Sequence, residues 1–116
     1  MLSTRKLYAL WRKYNAQVFS GVLHPAKITH GRTDVDVLEG FGVASLYGYC
    51  EDVSRTRVRI HIDEGCTPAQ AEATLLHEMV HQYQHQSGLE MEHDRAFEAW
   101  RSPILACTGH DILEIV

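Results

Sequence analysis

Apolar residues near the start of the chain recur at helical spacing: Leu7, Leu10, Trp11, Tyr14, Val18 and Phe19. That period lays them on one stripe of an amphipathic helix over residues 4–20, with Gly21 as its stop. The stripe reads as core packing. The period then changes: residues 26–32 form a brief candidate strand, residues 43–50 a second and residues 55–63 the clearest. In the third, Val58, Ile60 and Ile62 alternate with Arg57, Arg59, His61 and Asp63, which predicts one buried and one wet face. Residues 51–54 read as a hairpin loop, giving an antiparallel pair.

Helical spacing returns after Cys66. Thr67 can cap a helix, Pro68 suits its first position, and Gln70 stands where a capping box places an amide. Leu75, Leu76, Met79, Val80 and Tyr83 carry the apolar pattern to about Gln86, and Gly88 stops it. A last helix is expected over residues 94–101, anchored by Phe97 and Trp100 and ended by Pro103. Residues 104–116 alternate weakly and receive no assignment. The whole, residues 1–116, reads as a single α+β domain with a small, largely antiparallel sheet of about three strands.

Length and composition fit that reading. A chain of 116 residues can close a modest core without disulfides. Cys50, Cys66 and Cys107 are odd in number and widely spaced, so they are expected to be buried small hydrophobes rather than a disulfide or zinc-ribbon framework. No run is long and apolar enough to span a membrane, and the start lacks a signal-peptide pattern, so a cytoplasmic location is expected. The net charge of -4 is unevenly spread: residues 1–60 carry nine Lys/Arg against five Asp/Glu, and residues 61–116 carry two against ten. The acidity argues against a strong unaided polyanion binder, while the basic half leaves room for a local patch.

The chemistry lies in His77-Glu78-Met79-Val80-His81, well inside the second helix. Residues four apart share a helix face, so both imidazoles can reach one cation. Glu78 is turned about 100 degrees from His77, which sets its carboxylate beside the metal as a general base. Zinc suits this ligand set. The pentapeptide alone also arises by chance as two helix histidines and a solvated glutamate; its capped, apolar setting favours the metal reading. A catalytic zinc usually takes a third protein ligand. His85, His93, Glu90, Glu92 and Glu98 are the candidates. His85 stands two turns beyond His77, about 12 Å along the axis, too far to share an ion. His93 follows the turn at Ser87-Gly88 and is the preferred third ligand, with Glu98 its main competitor.

In this order, the motifs resemble a SprT-like (Spartan-type) zinc metallopeptidase domain. The resemblance rests on Leu10-Trp11, Tyr14-Asn15, Phe19 and Gly21-Val22-Leu23 in the opening helix, and on Ile28-Thr29 and Val58–Ile62 in the strands. It is closest at Thr74–His81 and continues at His93-Asp94-Arg95-Ala96-Phe97, covering about residues 7–100. It implies a minimal zincin-like fold, Zn2+ held by His77, His81 and His93, and Glu78 as the catalytic base of an endopeptidase. Two departures stand out: Asp94 replaces the family's usual Gly, and no zinc-ribbon segment follows the domain. Larger relatives act on DNA-crosslinked proteins.

For the substrate, a peptide strand adding to an exposed sheet edge is expected. Arg55, Arg57 and Arg59 alternate on one strand face, and Tyr47 and Tyr49 alternate on its neighbour, which would suit DNA; a solvated face is the commoner use of such a row. His61, His85 and Tyr83 are conceivable oxyanion partners, but an exposed strand histidine, a surface histidine and a core tyrosine are the plainer readings. The alternative function is a catalytically silent zinc-containing module that binds protein or DNA. Oligomeric state is not legible.

Overall fold

The computed structural model describes residues 2–33 and 47–113. In chain order the elements are α1 (Thr4–Val18), β1 (Lys27–Gly31), β2 (Gly48–Ser54), β3 (Arg57–Asp63), α2 (Pro68–Gln86), α3 (Arg95–Glu98) and α4 (Arg101–Thr108). The class is α+β. The sheet is mixed, with order β1-β3-β2: β1 runs parallel to β3 and β2 antiparallel to it. The largely antiparallel sheet expected from the sequence is thus corrected, because the chain reaches β1 from α1 and enters it in the direction of β3.

α1 begins at Ser3, whose hydroxyl accepts from the Lys6 amide. It buries Leu7, Trp11 and Tyr14. Two side chains fasten it to α2 in addition to this apolar contact. The Trp11 indole donates to Gln82 Oε1 at 3.0 Å, and the Tyr14 hydroxyl donates to Glu72 Oε1 at 3.2 Å. The other end of the Gln82 amide donates to the His24 carbonyl, so one buried side chain ties the α1–β1 connection to α2.

The inner face of the sheet presents Ile28, Cys50, Val58, Ile60 and Ile62 to the core, where Leu75, Leu76, Met79 and Val80 of α2 meet them. β2 lies later than expected. Residues 51–54 belong to the strand, and the reversal is made by Arg55 and Thr56; the expected strand positions 43–46 lie outside the described residues. Val53 is an extra residue between the Asp52–Val58 and Ser54–Arg57 pairs, so β2 is bulged there. Gly48 is sterically required, since a Cβ at this position would stand 2.3 Å from the His61 carbonyl oxygen.

α2 carries both halves of its expected capping box, with Thr67 and Gln70 satisfying each other's backbone amides. It ends at Gly88, where φ of +78° lets the Leu89 amide reach back to the Gln84 carbonyl. Pro103 does not end the last helix. A proline has no N–H to donate and its ring crowds the carbonyl four residues back, so the helical path breaks at Ala99 and Trp100. Pro103 then sits in the first turn of α4, where that N–H is not needed, and the helix runs on to Gly109. Among the described residues no helix is long and apolar enough to cross a membrane.

Candidate metal centre

α2 is buried around most of its circumference from Ala73 to Gln82, which is why it can hold polar groups away from water. His77, Glu78 and His81 are all fully buried. The turn at Gly88 sends the chain back along α2, and Asp94 starts α3 by accepting from the Phe97 amide at 3.1 Å. Between these two features His93 is delivered to the histidines of α2. Its Nε2 lies 3.0 Å from His77 Nε2 and 3.2 Å from His81 Nε2. Phe97 packs against all three rings, with centroid distances of 4.7, 4.8 and 4.8 Å to His77, His81 and His93.

The three histidines lie close enough to hold a metal ion. Their outer nitrogens decide which lone pairs face it. His77 Nδ1 is 2.7 Å from the Ile112 carbonyl, and His81 Nδ1 is 2.8 Å from Gln84 Oε1. Both partners accept only, so both Nδ1 atoms carry the proton and both Nε2 lone pairs point inward. A tetrahedral ion with bonds of about 2.0–2.1 Å separates its nitrogen ligands by about 3.3 Å, close to the observed spacings. The residues fit such an ion. Burial lowers the His77 pKa to about 3 and that of His81 to about 4, and it also lowers His93. All three are therefore neutral, and available as ligands, at neutral pH.

Glu78 is placed differently. Neither carboxylate oxygen has a hydrogen-bond partner among the described residues, and burial pushes the group well above the usual carboxylate range. Of the charged groups, it does most, after burial, to push up the buried Cys50 thiol of β2. A buried carboxylate left without a partner is costly unless a cation or substrate answers it.

The other expected participants lie elsewhere. His85 stays out of the cluster, with Nε2 2.7 Å from the Ser54 carbonyl. Glu90, Glu92 and Glu98 are exposed and outside it. His61 corrects the expectation of a wet face: it is 7% exposed, stacked on Tyr49, and held between the hydroxyls of Thr29 and Thr33 at 2.8 and 3.2 Å. Tyr83 packs between Phe19 and Trp100 as expected of a core tyrosine. The arginine row is also revised. Arg55 lies in the β2–β3 turn, Arg59 is ion-paired with Glu51, and Arg57 lines an apolar hollow with Tyr8, Pro25, Lys27 and Val53. The three cysteines are free, with Cys50 buried, Cys66 half-buried and Cys107 exposed, so only Cys50 fits the buried role expected of them all. Sequence reasoning missed Ile112 and Gln84. The first acts through a backbone carbonyl, which leaves no residue-type signal; the second was visible only as a polar residue on the His77–His81 stripe. No family model matches the chain, and no curated protein matches it, so the reading of this centre rests on its own geometry.

Proposed function

We propose that the chain is a zinc-dependent endopeptidase of the SprT-like, zincin type, with His77, His81 and His93 as ligands and Glu78 as general base. The observation that carries this reading is the pairing of three convergent, neutral imidazoles with a buried carboxylate that has no hydrogen-bond partner among the described residues. A purely structural zinc site has no use for such a carboxylate and is closed by a fourth ligand. When bound, zinc supplies a Lewis acid that polarises a carbonyl and lowers the pKa of water to about 7. Glu78 takes the proton from the attacking water as its oxygen adds to the scissile carbonyl carbon. The same carboxyl then gives that proton to the departing amine nitrogen as the carbon–nitrogen bond breaks. Glu78 acts electrostatically on Cys50 of β2, one of the two outer strands of the described sheet, and an extended substrate lying along that side would bring its backbone to the carboxylate.

The test is cleavage of an unfolded protein by the zinc-loaded chain beside Glu78→Gln. Cleavage is expected from the parent chain and a drop of at least about 100-fold in the variant, with zinc retained in both. Zinc retained with no cleavage by the parent would turn the reading into the silent binding module. DNA association belongs to the same proposal in a narrower form. Arg55, Arg57 and Lys27 are among the cations with no ion pair to another described residue, so faster cleavage with single-stranded DNA should disappear when Arg55 and Arg57 are replaced by Ala.

A further inference from the structure

We propose that Gln84 is a positioning residue that locks the third metal ligand to the second. The inference rests on the three histidines holding a metal, and not on which bond the protein cuts. Gln84 is fully buried, one turn beyond His81 on the same face of α2. Its side chain makes three hydrogen bonds. Oε1 accepts from His81 Nδ1 at 2.8 Å, while Nε2 donates to the Glu92 carbonyl at 2.9 Å and to Asp94 Oδ1 at 3.2 Å.

The two ends of an amide do different work. The oxygen only accepts and the nitrogen only donates. The oxygen therefore keeps the proton on His81 Nδ1 and leaves the Nε2 lone pair for the metal. The nitrogen holds the residues on either side of His93, both through hydrogen-bond acceptors. One side chain thus sets the tautomer of one ligand and the position of another. Asp94 completes the clasp, because its Oδ1 also accepts from the Phe97 amide and so opens α3. Glutamate at position 84 would keep the acceptor and lose the donor, and it would face the Asp94 carboxylate; leucine would lose both functions. The turn that carries His93 is in this way ordered as the protein folds, before any ion arrives. That ordering belongs to the affinity of the centre.

The experiment measures zinc affinity of the full chain by competition with a chromophoric chelator, together with the visible spectrum of the cobalt(II) form and the melting of the metal-free protein. Gln84→Glu, Gln84→Leu and Asp94→Ala should each weaken zinc by about 10- to 100-fold and alter the cobalt bands. Asp94→Asn keeps an oxygen for both hydrogen bonds and should stay within about threefold of the parent. Metal-free Gln84→Glu that melts cooperatively separates a positioning loss from a folding loss. Parent-like affinity and spectra in Gln84→Glu would overturn the proposal, as would a loss confined to Asp94→Ala, which would mean a helix cap alone. A parent chain that binds neither zinc nor cobalt would instead remove the metal centre itself.

Discussion

At the scale of single residues, the centre is defined by what burial does to titrating groups. The imidazoles of His77 and His81 titrate near 6.5 in an unfolded chain, and burial lowers them to about 3 and about 4 in the metal-free fold. Between those values the unfolded state binds more protons than the folded one. Stability of the metal-free protein therefore rises with pH across the window and is lost as pH falls from about 6.5 towards 3–4. Urea midpoints measured from pH 7 to 4 should decline steadily, and a flat profile would contradict the buried, neutral state of the pair. Zinc should be released over the same range, since its ligands must be unprotonated. His77 and His81 were legible in the sequence as a pair because their spacing is itself the geometry of a helix face. His61 was not. Alternation put it on the wet face, but Tyr49 and two threonine hydroxyls enclose it there, and period-two patterning carries no information about what covers a strand.

Secondary-structure elements show where local rules decide the outcome and where they do not. The start of α2 followed from four consecutive residues, and the capping box is formed as read. Thr67→Ala should cost about 1 kcal/mol, lowering the melting temperature by about 4 °C; no change in the melting curve would show that the helix start is held by packing alone. β2 was placed too early because Glu51, Asp52 and Ser54 look like turn residues, whereas their pairing with β3 keeps them in the strand. The reversal falls instead on Arg55 and Thr56, which carry no turn signature. Pro103 was read as a stop when it is a break, for the same steric reason applied four residues upstream. Asp94 has a physical account at this scale: its carboxylate starts α3 and receives the Gln84 amide, two duties that a glycine could not perform.

Across the whole molecule, the C-terminal segment joins the histidine cluster to the core. Residues 104–116 gave no readable pattern, yet Ile104 and Ile112 are fully buried, and the Ile112 carbonyl fixes the tautomer of His77. Arg101 holds this segment through a two-point ion pair with Asp111 at 3.0 and 2.7 Å. Contacts of this kind join residues far apart in sequence through backbone atoms, so no local spacing announces them. Ile112→Ala should cost about 2–4 kcal/mol in urea unfolding and weaken zinc at the same time; a stability loss with unchanged zinc affinity would mean that the tail only fills the core.

The most direct measurement of the central claim is zinc reconstitution of the chelator-stripped chain, followed by bound metal and by cleavage of an unfolded protein together. One zinc per chain should bind, with cleavage rising in proportion and levelling at one equivalent, and His93→Ala should weaken both. Cleavage that survives stripping, or a chain that takes up no zinc, would contradict the account.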